Sequence, residues 1–459
     1  MQTLPSDSGS GLVLAPFRGI RYARDRVSGI ANVTSPPYDV INGSILDHLR
    51  ASDPHNVVRL ILPGEDADAS QAAAALLRAW LSAGVLIRDR MAALYIYEQS
   101  LQPQDGAETS WLQRGIVGLV GLGSPETAGI LPHEGVMPGL VAGRRELMAA
   151  TQANLEPIFL IYDGDQATGA AETATAIMDR VAAERAPLVS ITTEDGTTHR
   201  LWRLGEPAEQ AAIAADLAGR RALIADGHHR YAAYLDLQAE MRRDGLGDGP
   251  WDYGLAFLVD SAAYPPRLGA IHRVLPGLPP DRAAELAKAA FTVQDLPAGL
   301  GLDDALRRLA AAGREGTAFL LAGGPVFRLL SQPDPVQLAA SMPAGMSASW
   351  QQLDASVMQH LLLGRLWGVT DSERDVLIDH DAADAVRAVA GDAAATDVAE
   401  RGGAGPVPAA GGTAVISNPA SFEAVIRIAA CGERVPRKST SFGPKPRTGL
   451  VLRTFGPAD

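Results

Sequence analysis

A mixed α/β chain built of several modules is the fold class this sequence predicts, on three observations. Short apolar runs suited to strands alternate with alanine-rich stretches of helical period along nearly the whole chain. The composition is ordinary for a globular protein, with 47% apolar, 20% charged and 5% aromatic residues. The 459 residues are enough for roughly two to four domains at about 100–200 residues each, with a real hydrophobic core.

In chain order, an Ala/Leu-rich helical pattern covers 71–81, and strands follow at 94–97 (Leu-Tyr-Ile-Tyr) and 116–120 (Ile-Val-Gly-Leu-Val). A helix over 144–153 precedes the strand Ile-Phe-Leu-Ile-Tyr at 158–162, and a helix over 173–183 precedes Ala-Leu-Ile-Ala at 222–225. Helical spacing of Tyr234, Leu235 and Met241 marks 230–242, and the continuous apolar run at 255–259 marks the next strand. The remaining expectations are helices at 283–290, 356–366 and 422–431 and strands at 318–321 and 376–378. Gly118, Gly121 and Gly123 lack dinucleotide-binding spacing and read as strand and turn. Module boundaries are expected near 165 and 340: an N-terminal α/β module (1–165), a central one (166–340) and a C-terminal one (341–459). The last carries a flexible Ala/Gly/Pro insertion at 391–412, and a lesser break falls at 276–280.

Several function classes are excluded or disfavoured. No run approaches the ~18 apolar residues of a membrane span, and the first eleven residues do not resemble a signal peptide, so a cytoplasmic location and no membrane partner are expected. Cys431 is the sole cysteine, which rules out an intramolecular disulfide and a cysteine-based zinc cage. The histidines show no zinc-ligand spacing, and no intrinsic metal site is expected. A net charge of −13 argues against nucleic acid as a partner. Only three of the 40 basic residues are lysines, Lys288, Lys438 and Lys445.

The segment Arg221-Ala-Leu-Ile-Ala-Asp226-Gly227-His228-His229-Arg230-Tyr231 runs an apolar strand into a turn and a helix, the local geometry of a phosphate site. Asp226 is expected to cap that helix and Gly227 to make the turn. Potential cations at His228, His229 and Arg230 oppose the helix dipole, and a bound anion would relieve that conflict. A second segment, 436–449, contains Lys438, Ser439, Thr440 and Lys445; it lacks the glycines and preceding strand of a Walker loop, but lysine is a compact charge suited to phosphate. It is expected to fold back onto the Asp226–Arg230 turn. A solvated basic tail is the alternative. Weaker substrate-binding candidates are Arg18, then Tyr38 and Asp39 after Pro36-Pro37, His133 beside Glu134, Asn154, and the pair His272-Arg273.

Taken in order, Phe17-Arg-Gly-Ile-Arg-Tyr22, Ser35-Pro-Pro-Tyr-Asp-Val-Ile41, Asn56-Val-Val-Arg59, Tyr97-Glu-Gln99, His133-Glu134, Asn154-x-x-Pro157-Ile-Phe159, Asp226-Gly-His-His-Arg-Tyr231 and Lys438-Ser-Thr-x-Phe-x-Pro-Lys445 resemble domain-of-unknown-function family ten-fifteen over nearly the whole chain. The Asp-Gly-His-His-Arg segment is also similar to the motif of the ParB/sulfiredoxin-like fold, above all its free-serine-kinase branch. That resemblance implies a ParB/sulfiredoxin-like core around the strand-turn-helix, with nucleotide phosphates over the helix start. It implies catalytic roles for Asp226 and an upstream glutamate, for which Glu134 is chosen over Glu98 and Glu156, with His228 beside them. Gly227, His229, Arg230, Lys438, Ser439, Thr440 and Lys445 would bind nucleotide or phosphate. The cofactor implied is ATP or ADP with a divalent cation such as magnesium.

The leading functional expectation is a nucleotide-dependent phosphotransferase acting on a small hydroxylated metabolite such as free serine, chemistry that needs positioning and charge neutralisation above all. The alternatives are a phosphatase or nucleotide hydrolase using the same anion site, and a nucleotide-sensing module with little turnover.

Overall fold

The strand Ile158–Tyr162 is buried at every residue, as its unbroken apolar run demands, so it needs a partner on each edge and a packed layer on each face. It has both edges paired: antiparallel to Ala222–Asp226 and parallel to Tyr253–Asp260. The structure, a computed structural model, describes residues 11–64, 66–101, 110–165, 172–370, 375–390 and 411–456. Among these, contacts divide the chain into two compact units: residues 1–132, 136–266 and 444–459 form the first, and residues 133–135 and 267–443 the second. These cuts differ from the 165 and 340 read from composition, because the final residues return to the first unit and a three-residue piece of its sequence span belongs to the second.

The first unit is built on a nine-stranded sheet. From one edge its strands are Ile130–Leu131, Ala222–Asp226, Ile158–Tyr162, Tyr253–Asp260, Trp111–Gly121, Leu94–Leu101, Thr198–Leu204 and Val189–Thr192, with Leu14–Ala15 pairing Trp111–Gly121 besides. Two pairings are parallel and the others antiparallel, which makes the unit mixed α+β. Ile158, Leu160, Ile224, Ala256 and Leu258 join Ile177, Met178 and Val181 of the helix Ala174–Glu184 and Tyr234 and Leu237 of the helix His228–Arg243 in one core. Each such apolar side chain contributes roughly 1.5–3 kcal/mol on burial.

The second unit has a six-stranded antiparallel sheet in the order Thr292–Asp295, Arg328–Ser331, Ala318–Ala322, Thr413–Ser417, His272–Leu275, Leu377–Asp379. Alternate residues of its strands face two separate cores. Phe319, Leu321 and Val415 pack with Leu361, Leu362 and Trp367, whereas Leu320, Ala322 and Ile416 pack with Leu309 and Val389. Helices therefore cover both faces, as the continuous apolar runs require.

The sequence elements recur with shifted ends. The helix expected at 144–153 is Pro138–Thr151: Pro138 suits its first turn, and Gln152 turns left-handed at φ 50°, so 153 and 154 are already extended. The helix expected at 356–366 starts at Asp354–Val357 and widens into a π-helical stretch over Met358–Trp367. The insertion expected at 391–412 lies outside the described residues except for Gly411 and Gly412. No helix among the described residues is long and apolar enough to cross a membrane.

Candidate functional site

The strand Ala222–Asp226 ends in a register shift between Ile224 and Asp226 against Ile158–Tyr162, an irregularity of the kind that re-aims a side chain. Asp226 is thus the last strand residue. The cap is Gly227, whose φ of 93° is easy only for glycine, and it makes no side-chain capping bond. The expectation that Asp226 caps the helix is corrected here: its carboxylate is drawn instead to charged side chains. Oδ2 pairs with the Arg230 guanidinium one turn along the helix, and Oδ1 takes the Lys445 ammonium at 2.6 Å. Lys445 also pairs with Asp39, so one ammonium joins two carboxylates.

Burial by itself would raise the pKa of Asp226, but Lys445 and Arg230, with His228 adding to them, hold its carboxyl well below the usual range. The same two carboxylates overcome burial at Lys445 and push its ammonium above the usual lysine value. Arg230 is 3% exposed and donates from Nη1 to the Pro157 carbonyl at 2.5 Å, while its buried Nε has no hydrogen-bond partner among the described residues. Tyr38, in the short turn Tyr38–Val40, lies under two guanidinium groups, Arg144 at 4.3 Å and Arg230 at 5.8 Å from its ring centre. Burial pushes its hydroxyl up to about 12, so it stays protonated at neutral pH. His229 Nε2 accepts from the Met137 amide at 3.1 Å.

Lys445 is aimed by its neighbours. Gln99 Nε2 donates to the Pro444 carbonyl at 2.9 Å, the Arg447 amide donates to the Tyr97 hydroxyl at 3.1 Å, and Arg447 Nε donates to Thr34 Oγ1 at 2.7 Å. The site is therefore assembled from five parts of the first unit: 36–39, Arg144, 156–157, 226–230 and 444–448.

The other residues singled out by sequence have different surroundings. Arg18 Nε donates to the Asp89 carbonyl at 3.0 Å, and Asn154 Oδ1 accepts from Arg453 Nη1 at 2.9 Å, both within the first unit. His133, Glu134, Lys438, Ser439, Thr440, His272 and Arg273 belong to the second unit. There Thr440 Oγ1 donates to Glu134 Oε1 at 3.1 Å and lies 2.8 Å from His133 Nε2. Arg273 Nη2 donates to the carbonyls of Arg437 and Lys438 at 2.9 and 3.0 Å, and Ser439 Oγ donates to the Pro436 carbonyl at 2.5 Å. His272 Nδ1 accepts from the Ser417 amide, and burial lowers its pKa to about 4, leaving a neutral ring. Lys438 is exposed and has φ 51°, and the chain passes from the second unit to the first between it and Lys445.

Of the three glutamates weighed as the upstream carboxylate, Glu98 is committed to Arg114 and Arg200. Glu156 is the one whose charge environment includes Arg230, Arg144 and Asp39. Its position between Asn154 and Pro157 of a family-like motif is the signal that could have singled it out.

The sequence model of the family described as "Protein of unknown function (DUF1015)" matches residues 14–356. No curated protein matches the chain. Solved structures similar to it include SbnI with a C-terminal truncation from Staphylococcus aureus, at 11% identity over 71% of this chain and 82% of that one, TM-score 0.32. A mutant free serine kinase in complex with ADP is similar at 13% identity over 74% and 92%, TM-score 0.33. A conserved hypothetical protein from Pyrococcus furiosus is similar at 13% identity over 70% and 90%, TM-score 0.31.

Proposed function

This chain belongs to that family of proteins of unknown function, and from the chemistry of its own residues we propose that it is a nucleotide-dependent phosphotransferase acting on a small hydroxylated metabolite. The observation that carries the reading is the Lys445 ammonium, shared by Asp39 and Asp226 at the start of the helix His228–Arg243. A helix N-terminus carries the positive end of the dipole and favours a nearby anion. Lys445, Arg230 and Arg144 bring three cations to a cluster that also holds Asp226, Asp39 and Glu156, whose carboxyl is raised by burial. The buried Arg230 Nε, which has no hydrogen-bond partner among the described residues, is a donor in need of an acceptor. The nucleotide as donor follows from the resemblance of Asp226-Gly-His-His-Arg230 to the free-serine-kinase motif.

In this reading Lys445, Arg230 and the first amides of the helix bind phosphate oxygens and offset charge on the transferred group. The bond from the terminal phosphorus to the departing nucleotide oxygen breaks, one to the acceptor oxygen forms, and the acceptor proton passes to a carboxylate. Asp226, held as a strong acid by its two cations, serves as a fixed negative charge more than as a base. Asp39 is the more exposed of the two, with 28% of its side chain accessible, and stands where an acceptor hydroxyl can reach it.

Asp39 and Asp226 converge on the Lys445 ammonium, so a divalent cation arriving with the phosphates would take one of these carboxylates beside it, magnesium commonly taking one or two carboxylates with phosphate and water. Among the described residues no group of three or more His, Cys, Asp or Glu side chains could hold a metal alone. Such an ion would neutralise charge on the phosphates.

The test is incubation with ATP or ADP, magnesium and a pool of amino and hydroxy acids, followed by mass spectrometry. A phosphorylated acceptor that disappears in Lys445→Met is expected. Release of free phosphate without any phosphorylated acceptor would assign the hydrolytic activity instead.

A further inference from the structure

Glu156 is 5% exposed, yet its carboxylate is engaged by two segments far from it in sequence. Oε1 accepts from the Tyr38 amide at 3.1 Å and from Thr448 Oγ1 at 3.2 Å. Tyr38 immediately precedes Asp39, and Thr448 lies three residues beyond Lys445. The same two segments exchange backbone hydrogen bonds through Ser35 and Thr448, at 3.1 and 2.9 Å. The next carbonyl along, that of Pro157, accepts from Arg230. One dipeptide therefore touches three chain segments that carry charged groups of the site: those of Asp39, of Lys445, and of Asp226 with Arg230.

A general base needs open access to the acceptor hydroxyl, whereas this carboxylate is nearly enclosed and already holds two donors on one oxygen. We propose that Glu156 is a positioning residue: it ties the 36–39 turn to the 444–448 segment so that Lys445 is held against both Asp39 and Asp226, and it takes no proton from the substrate. The geometric part stands on the contacts alone; the part concerning turnover rests on the phosphotransfer reading.

With only three lysines in the chain, acylation by a soluble N-hydroxysuccinimide ester, read by mass spectrometry, reports each site separately. Lys288 and Lys438 serve as internal controls. In the full chain without ligand, Glu156→Ala should raise the acylation rate of Lys445 roughly tenfold, the scale of losing two hydrogen bonds to a carboxylate. Thr448→Val should raise it about threefold by removing one of them. Glu156→Gln, which keeps the accepting oxygen, should stay within about twofold of the parent. Lys445 acylating at the parental rate in both Glu156→Ala and Thr448→Val, or as fast in Glu156→Gln as in Glu156→Ala, would overturn the proposal. If near-ultraviolet circular dichroism finds Glu156→Ala unfolded, Thr448→Val and Glu156→Gln decide by the same criteria. On the turnover side, Glu156→Gln should retain both kcat and KM within about threefold. A collapse of kcat by roughly a hundredfold or more with Lys445 still protected would make Glu156 the base and overturn the assignment. A parent with no phosphotransfer under any condition would remove the functional reading and leave the acylation result intact.

Discussion

Lys445 satisfies two carboxylates with one charge, which makes it the side chain whose loss most disturbs the site. Lys445→Met should cost about 3 kcal/mol, because Asp226 is left buried with Arg230 alone and Asp39 loses its partner. Urea denaturation of the two proteins at neutral pH measures it. Asp226 supplies a pH signature. Its carboxyl is held below its unfolded value of about 3.9, so the stability it contributes is complete above that pH and is lost as pH falls toward the folded value. The stability gap between parent and Asp226→Asn should therefore be widest above about pH 5 and should narrow on acidification from pH 4 toward pH 2. A gap that stays constant over that range would mean that Asp226 is not held low by its neighbours. Turnover should be abolished in Asp226→Asn with the fold retained, since asparagine keeps the volume and removes the charge.

At the scale of elements, the helix His228–Arg243 starts where it does because Gly227 turns left-handed, and this is a point that composition misassigned. Asp followed by Gly before a helical period reads equally as cap and turn or as strand end and cap, and only the sheet pairing of Asp226 separates the two. A Cβ at residue 227 would stand 3.1 Å from Arg230 Nε, Arg230 Nη2 and Ile158 Cγ2, besides straining the backbone at φ 93°. Gly227→Ala should thus destabilise by about 1–3 kcal/mol and weaken phosphate binding through displaced Arg230, measurable by thermal unfolding with and without inorganic phosphate. The strand and helix cores were legible because their periods are strong: 158–162 is found with its expected bounds, and 222–225 is extended by one residue. The charged turn was legible as a cluster of opposed charges, and Lys445 through the scarcity of lysine. Glu156 was legible only as one of three candidate glutamates within a family-like motif, because nothing local shows that its carboxylate meets an amide 118 residues away. Sequence order likewise did not reveal that His133, Glu134 and Lys438 belong to the second unit, since the three-residue piece carrying the first two departs from its flanks.

At the scale of the whole molecule, the last described residues are structural parts of the first unit. Ile20 and Leu452 bond backbone to backbone, Arg453–Thr454 pairs with Ala153–Asn154, and Arg453 reaches the Tyr253 carbonyl at 2.5 Å. Deleting residues 444–459 should therefore lower the thermal midpoint by several degrees and remove ligand-induced stabilisation together, because the segment supplies both packing and Lys445. Loss of binding with an unchanged midpoint would contradict the structural half of that expectation. The central claim is that Lys445, clasped by Asp39 and Asp226 at the start of the helix, binds the phosphates of a nucleotide. Isothermal titration of magnesium–ATP and magnesium–ADP into the full chain and into Lys445→Met tests it most directly. Saturable binding in the parent, weakened about thirtyfold or more by the substitution as expected for a charge-assisted contact, is the anticipated result. Equal affinity in the two proteins, or no binding to the parent, would contradict it.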